Sequence, residues 1–479
     1  MRSVLMLSLL ILEALSVSAL DLGYPLQDPL RAGLTPPPAV SPTLMEGNSL
    51  ACSDWTPHPH LSLMDVVQQA LCHNPQTRIA AMSVVSRAAD VGAAKAAYLP
   101  TIAAVVQSAD ARQYDYYPKE TAIDNSETSR YQDTSLTVSW LLYDFGARGA
   151  DLDHARGLLL AAQADQNNAV LKVMQATVKD YYNALAGASA VNAAQEDEQR
   201  AKTSFEIAQE RVHHGVAPIS DQYQAETAYD QAILTLTQAQ RDEEVYQGNL
   251  AVDMGLPPTT MLAIGELDGD QVQNQPLNSI HDYLELALRL HPQIQGAQAQ
   301  LAAALAHAHQ VRDQGRPSLH FSARDDRNDN PQSLGPGQAY LPARQRNVSF
   351  TLELDVPLFE GFVRTYQIRG ADADVQTQKQ RLLDAQQQVQ QWVWQSFEDY
   401  RAGMENMTIT AHLFNTAGMS YEAALQRYQN GAAGMIELVS AQTVLADARK
   451  KHIDALAQTL AARLELANSV GQLGMGLAP

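Results

Sequence analysis

The histidines are the first candidates for chemistry, because an imidazole can bind a metal or transfer a proton near neutral pH. His213 and His214 are adjacent, and His307 and His309 are two residues apart. Two ligands on a helix share a face when they lie three or four residues apart, so neither pair is spaced to chelate. The chain also has no evident phosphate-binding loop, nucleophile elbow or acid–base pair. We therefore expect no metal site, no cofactor and no catalytic residue, and the chain is not expected to be an enzyme.

The two cysteines, Cys52 and Cys72, are the second candidates. In an exported protein they can form a disulfide between a Pro-rich segment and the first helix; two inert thiols are the alternative. Export is indicated by residues 1–19, where Arg2 is followed by an apolar run and small residues up to Ala19. This layout is typical of a signal peptide, with a buried N-terminal helix as the alternative.

Composition restricts the class of protein. The chain has 479 residues, of which 46% are hydrophobic, and a formal net charge of −20. The apolar content supports a packed core. The acidic balance argues against nucleic acid as a partner, because phosphate binding needs a basic surface. After the signal peptide, no stretch is long and apolar enough for a transmembrane helix.

The chain repeats itself at a long and nearly constant interval. Pro75 is echoed by Pro292 and Pro100 by Pro317, each at an offset of 217 residues. Two further anchors recur at an offset of 216, namely Arg148 with Arg364 and Gly215 with Gly431. Four anchors at one offset indicate an internal duplication.

Each copy predicts the same order of elements: a helix of roughly 35 residues that ends at a proline, two strands around a polar tip, a helix that would extend roughly 95 Å, and a shorter helix after a glycine-containing break. Helices of that length must pack against other helices. The predicted division is a signal peptide at 1–19, a Pro-rich arm at 20–60, a first repeat at 61–262, a linker at 263–279 and a second repeat at 280–476. The predicted strands are 101–113, 134–145, 318–326 and 347–359, and the predicted helices that follow them are 149–213, 219–254, 362–429 and 435–470.

The strands alternate between apolar and polar residues, which predicts two different faces. The last strand is long enough for a tilted strand to cross a bilayer, although one face of an ordinary soluble sheet is the alternative. If the strands cross the membrane, the residues expected to face lipid are Val348, Phe350, Leu352, Leu354 and Trp140. The residues expected to face a water-filled lumen are Glu353, Asp355, Thr137 and Ser139.

A sheet of four strands cannot cross hydrocarbon by itself, because both edges would leave backbone groups unpaired. Closure must then come from several copies. Two copies would give eight strands and a barrel filled by side chains, whereas three would give twelve and room for a channel.

The sequence resembles the TolC family of outer-membrane efflux and secretion channels. The resemblance is carried by "NP" and "YLP" in the first copy, "HP" and "RP" in the second, "LLYDFG" matched by "PLFEG", and "GVAPISDQYQAE" matched by "GAAGMIELVSAQ". It implies an α+β membrane protein: a homotrimer with a twelve-stranded β-barrel, continued by a coiled α-helical tunnel through the periplasm. It also implies as partners a periplasmic adaptor, an inner-membrane ABC or proton-driven pump and outer-membrane lipid. "ALCHNP" is similar to members that serve type I protein secretion, such as cyclolysin export.

The resemblance also implies a narrow mouth at the glycine-containing breaks. The positions that match the family's pore constriction are Asp221, Glu437, Ser220, Ser440 and Tyr428. Members with two acidic rings carry a second carboxylate where this chain has Ser440, and the family's basic residue falls at Ala433. Any lock on the closed state should therefore be built differently. Asp221 and Glu437 can alternatively act as charges at helix N-termini.

These observations predict a passive duct in the cell outer membrane that extends into the periplasm. Its cargo would be small molecules or unfolded polypeptide. The alternative from another class is an exported, soluble helical adhesin or scaffold with no pore.

Overall fold

The computed structural model describes residues 28–33, 61–265, 267, 279–333, 335, 338 and 340–471. The elements in chain order are α1 Leu63–His73, α2 Pro75–Ala96, β1 Thr101–Asp115, β2 Asn125–Tyr143, α3 Ala147–His213, α4 Ile219–Asp253, α5 Ile280–Leu290, α6 Pro292–Asp313, β3 Ser318–Asn328, β4 Gln332–Ser333, β5 Tyr340–Leu341, β6 Gln345–Asp355, α7 Val363–Gln429 and α8 Met435–Ser469. A short 3₁₀ turn, Thr121–Ile123, lies between β1 and β2.

The two copies are built from helices of equal length. The pair α1 and α5 has 11 residues each, and the pair α2 and α6 has 22. The long helices α3 and α7 have 67 residues each, and α4 and α8 have 35. Because every helix has a partner of the same length in the same order, the duplication predicted from the sequence is present in the fold.

The structure corrects the expectation of one helix of roughly 35 residues at the start of each copy. That segment is two helices, and the second begins at Pro75 in the first copy and at Pro292 in the second. Proline suits the first position of a helix, where its missing N–H would have no partner in any case. The preceding residues, Asn74 and His291, have extended backbones that end the first helix.

The strands form one antiparallel sheet of four, in the order β1–β2–β3–β6. They extend further into the polar tips than expected: β1 continues to Asp115 and β2 begins at Asn125, so more than half of the tip between the predicted strands 101–113 and 134–145 is itself strand. The second tip, between the predicted strands 318–326 and 347–359, contains the short antiparallel pair β4–β5. Polar side chains at the tips do not prevent pairing, because ladder hydrogen bonds come from the backbone.

The chain divides into two compact units, which we name the strand unit and the helical unit. The strand unit comprises residues 1–35, 85–159 and 302–376, and the helical unit comprises 36–84, 160–301 and 377–479. In the helical unit, one apolar cluster packs Leu71, Leu171 and Leu250 with Leu460, so that it joins α1, α3, α4 and α8. A second cluster around Tyr428, Met435 and Leu438 lies beside the glycine-containing breaks.

Several expectations fall on residues that the structure leaves undescribed. The signal peptide at 1–19 lies outside the described residues, as do most of the arm at 20–60 and most of the linker at 263–279. Cys72 is buried near the end of α1 and is disulfide-bonded, whereas Cys52 lies outside the described residues. Among the helices described, none is both long and apolar enough to span a membrane.

Candidate channel surfaces

The polar residues predicted to line a lumen lie on one face of the sheet. Residues directly opposite each other on paired strands share a face. Ser139 lies opposite Ser322, which lies opposite Thr351. Since side chains alternate along β6, Glu353 and Asp355 are on the same face as Thr351. Thr137 joins them because it lies opposite Arg324, which in turn lies opposite Ser349.

The other face of the sheet is apolar and exposed. Trp140 lies opposite Phe321, which lies opposite Leu352, and this row places Val348, Phe350 and Leu354 on the same side. Phe350 is 74% exposed, a large value for an aromatic side chain. Exposed apolar patches of this kind mark surfaces that meet lipid or another protein. The five residues predicted to face lipid are thus brought together, and the indole N–H of Trp140 donates to the carbonyl of Tyr98 at 2.9 Å.

An arginine stabilises each bend where a strand leads into a long helix. Arg148 donates to the carboxylate of Asp144 and to the carbonyls of Ala97, Leu141 and Leu142. Its guanidinium also lies 4.6 Å from the ring centre of Tyr98. By satisfying carbonyls at the end of α2 and the end of β2, one side chain sets the angle between strand and helix.

The equivalent bend in the second copy uses the equivalent arginine. Arg364 donates to both carboxylate oxygens of Glu360 and to the carbonyls of Val311 and Gln314 near the end of α6.

Each bend also places a phenylalanine in the left-handed region of backbone space, where a non-glycine residue is strained. The φ angle is 53° at Phe145 and 67° at Phe362.

The two glycine-containing breaks have the same backbone geometry. Gly215 and Gly431 have φ angles of 70° and 73°. After each glycine, the next N–H bonds back five residues, Val216 to the carbonyl of Arg211 and Ala432 to that of Arg427. This is a Schellman ending, which requires a left-handed residue and favours glycine there. The pattern explains why glycine recurs at both positions.

Side chains at the second break form an ion pair within one copy. Arg427 donates to the Glu437 carboxylate at 2.7 Å, and both side chains are exposed. The family's basic position is Ala433 here, and Arg427 provides a different partner for the acidic residue. Ser220 and Ser440 are also exposed, and Ser440 lines a shallow groove with Tyr223 and Ile436.

Tyr428, whose contribution to a pore constriction stays a prediction, is buried within one chain. Only 1% of it is exposed, and it packs in the cluster with Met435 and Leu438. The guanidinium of Arg211 lies 4.8 Å from its ring centre and donates to its carbonyl. Burial raises the pKa of the Tyr428 hydroxyl, so it stays protonated. Within one chain, Tyr428 is therefore a packing residue.

One carboxyl pair lies at the opposite end of α4 from the first break. The pKa of Asp253 is raised to about 6. Burial is the main cause, and the charge of Asp180 and a hydrogen bond between the two side chains raise it further. Two carboxyls this close share a proton more readily than they both ionise. Among the described residues, no group of three or more His, Cys, Asp or Glu side chains is arranged to hold a metal ion.

Comparison with known proteins decides the family. The model of the family described as "outer membrane efflux protein" matches residues 66–252 and 283–472, one span in each copy. The chain belongs to the outer membrane efflux protein family. The resemblance to TolC is confirmed, because the outer membrane protein TolC of Escherichia coli is 22% identical over 422 residues, covering 86% of this chain and 82% of TolC. Protein CyaE of Bordetella pertussis is 30% identical over 452 residues, covering 93% of this chain and 91% of CyaE.

Solved structures of efflux-protein channels have the same fold. VceC from Vibrio cholerae superposes with a TM-score of 0.71 at 17% identity, covering 86% of this chain and 96% of VceC. CusC superposes with a TM-score of 0.74 at 16% identity, covering 88% of this chain and 96% of CusC. The predicted fold class of the chain, helix-rich with four strands and two repeated halves, is confirmed, and these relatives confirm the predicted location in the outer membrane. The family is made up of channel proteins rather than enzymes.

The contacts of three arginines in this efflux protein are structural features that the sequence did not reveal. Arg148 and Arg364 are visible as repeat anchors, but their partners Ala97 and Gln314 lie about fifty residues earlier in the chain. Arg211 reaches Tyr428, 217 residues away. The signal that could have found these arginines is their recurrence at the duplication offset, because Arg211 and Arg427 are also 216 residues apart.

Proposed function

We propose that three copies of this chain form the outer-membrane duct of a tripartite export system, with no catalysis of its own. An inner-membrane pump, either ABC-type or proton-driven, would supply the energy, and a periplasmic adaptor would join the pump to the duct. The observation that carries this proposal is the open sheet: β1 and β6 lie at its two ends, and neither has a second partner strand among the described residues.

Closure between copies follows from the solvent around the sheet. In hydrocarbon, every unpaired backbone group costs several kcal/mol, so an edge of eleven or more residues cannot stay open there. Pairing β6 of one protein chain with β1 of the next chain removes all sheet edges. Three copies then give twelve strands, which is wide enough for a water-filled lumen. The polar face with Glu353 and Asp355 would line that lumen, and the apolar face with Phe350 would meet lipid.

The proposed constriction lies at the glycine-containing breaks. Three chains would place three copies each of Asp221 and Glu437 around a threefold axis. These carboxylates would attract cations, because their negative electrostatic potentials add. Ser220 and Ser440 would complete the rim. Opening would require the helices on either side of each break to shift relative to one another.

The experiment that tests the duct is expression of the full chain followed by fractionation. We expect a trimer in the outer-membrane fraction that dissociates on heating, and defined single-channel conductance after reconstitution. A monodisperse soluble monomer would contradict the proposal and support the exported scaffold or adhesin. Edge pairing is tested by placing one cysteine on β1 and one on β6 of the same chain. These cysteines should cross-link only between neighbouring chains.

The cargo of the duct has two candidates. TtgC of Pseudomonas putida, a toluene efflux pump outer membrane protein, is 24% identical over 67% of this chain. CyaE is more similar, at 30% over 93%. Small molecules are the first candidate cargo. Unfolded polypeptide is the second, and it is supported by the similarity to members of the family that serve type I secretion. Deleting the gene and measuring both drug sensitivity and the secreted proteins separates the two.

A further inference from the structure

One charged cluster interrupts the apolar face of the sheet. Asp325 lies opposite Leu136 on β2 and opposite Val348 on β6. Its carboxylate accepts two hydrogen bonds from Arg346, at 3.0 and 2.9 Å, and one from Arg327 at 3.1 Å. Arg327 and Arg346 lie directly opposite each other on the same face. We name these three residues the arginine clamp.

The clamp lies where the apolar face ends. Toward the bends, three successive rows on this face are apolar, and they contain Phe350, Leu352 and Leu354. Toward the tips, β1 and β2 continue with the ion pair of Arg130 with Asp110 and then with Arg112. A sharp change from apolar to cationic residues along a strand is what the boundary between hydrocarbon and headgroups requires.

The clamp and its neighbours carry an excess of positive charge. Four arginines on this face, Arg112, Arg130, Arg327 and Arg346, stand against three aspartates, Asp110, Asp325 and Asp329, the last of which continues β3 opposite Gln132. Asp325 uses Nε and Nη2 of Arg346 and Nη2 of Arg327. The remaining guanidinium N–H groups point to no acceptor among the described residues, and both arginines are about 60% exposed. Asp325 thus orients two guanidinium groups and leaves donors on each.

We propose that the arginine clamp binds a phosphate group on the headgroup of an anionic glycolipid in the outer leaflet of the outer membrane. The inference rests on the proposed function, because it needs the apolar face to meet lipid and the tips to lie outside the cell. Guanidinium groups form paired, charge-assisted hydrogen bonds with phosphate oxygens. An isolated Asp325 beside a lipid phosphate would repel it, whereas the clamp as a whole carries a positive charge. A headgroup seated there would also lie against the rim of the apolar rows.

The test uses the full-length trimer in neutral detergent, titrated with diphosphoryl lipid A and followed by native mass spectrometry. The variant is R327Q with R346Q, which keeps polar side chains but removes both charges. Its control is Arg324→Gln, because Arg324 is next to Asp325, is similarly exposed and lies on the opposite face paired with Asp326. We expect the double variant to lose affinity by about tenfold or more and the control to bind as the wild type does.

Two further arms identify the source of the phosphate. Dephosphorylated lipid A should bind the wild type no better than it binds the double variant, and inorganic phosphate should compete weakly because it lacks acyl chains. Equal affinity of the double variant and the wild type, or equal loss in the control, would overturn the clamp as a site. Conductance is measured on the same samples. Conducting trimers without lipid discrimination overturn only the clamp, whereas a chain that forms no conducting trimer overturns the proposed function and the clamp with it.

Discussion

The two copies place an arginine at equivalent positions of their breaks, and the two arginines have different partners. Arg427 pairs with Glu437 in its own copy. Arg211 instead contacts the second repeat of the same chain, where it donates to the carbonyls of Tyr428 and Gln429. Among the described residues, Asp221 therefore has no arginine partner. Duplication preserved the backbone turn and let the side chains take separate roles, one in packing and one in charge.

The same divergence appears at the other repeated positions. The bend arginine of the first copy and its carboxylate partner are 12% and 13% exposed, whereas the pair in the second copy is 23% and 37% exposed. The residue before the repeated proline is Asn74 in the first repeat and His291 in the second. Each difference can be tested by making the same substitution at the equivalent positions of the two repeats.

The largest effect is expected at the bends. Arg148→Ala removes a partly buried ion pair and bonds to three carbonyls, so we expect a loss of about 3 kcal/mol in the free energy of unfolding. Arg364→Ala should cost about 1 to 2 kcal/mol, because its pair is more exposed. Unfolding of the detergent-solubilised protein in guanidinium, followed by tryptophan fluorescence, measures both losses.

Lysine provides the control for this prediction. Arg148→Lys keeps the charge beside Asp144 but cannot reach several carbonyls at once, so its loss should lie between those of the wild type and the alanine variant. Equal losses for Arg148→Ala and Arg364→Ala would show that the difference in burial between the bends has no energetic consequence.

The second effect concerns the caps before Pro75 and Pro292. Asn74 accepts a hydrogen bond from the N–H of Gln76 through its side-chain oxygen, and His291 accepts one from Gln293 through Nδ1. His291 is fully buried, and burial lowers its pKa to about 4 from an ordinary value of 6.5. The unfolded chain therefore binds a proton between about pH 6.5 and 4 that the folded chain does not.

It follows that stability falls as pH drops through this window, by about 3 kcal/mol in total for His291. His291→Asn copies the cap of the first repeat and should remove that part of the pH dependence. The measurement is the guanidinium midpoint at pH 7.5 and pH 4.5. His281→Asn, at an exposed position on α5, serves as the control and should leave the slope unchanged. A slope that persists in His291→Asn would assign the acid sensitivity to another group whose pKa burial lowers, such as His452.

The fold was largely predictable because its signals recur. Glycine, proline and arginine at a constant offset predicted two equal copies, and alternation along β6 predicted its two faces. The split at Pro75 and Pro292 was not predicted, because the flanking residues continue a helical pattern on both sides. The extension of β1 and β2 into the tip was missed because their polar residues gave no alternation. Partners such as Arg211 and Tyr428 could not be predicted, since spacing along the chain does not reveal contacts between distant segments.

The third effect separates the two arginines at the breaks. Arg211→Ala removes two hydrogen bonds to carbonyls and a contact with the Tyr428 ring, so we expect a loss of about 2 kcal/mol in unfolding free energy. Arg427→Ala breaks an exposed ion pair and should cost less than about 1 kcal/mol. Thermal unfolding of both variants, followed by circular dichroism, measures the difference. A larger loss for Arg427→Ala would reverse the assignment of packing to Arg211 and charge to Arg427.

The smallest effect is expected on the conductance of the reconstituted pore. Glu437→Ala should lower block by divalent cations, because it removes one carboxylate per copy from the proposed mouth. Asp221→Ala should lower it more, by about twofold or more, since Arg427 forms an ion pair with Glu437 whereas no described arginine forms one with Asp221. Arg427→Ala should act in the opposite direction and increase the block. If Asp221→Ala leaves the block unchanged while Glu437→Ala removes it, then Asp221 serves only the N-terminus of α4, and the pore charge belongs to the second copy.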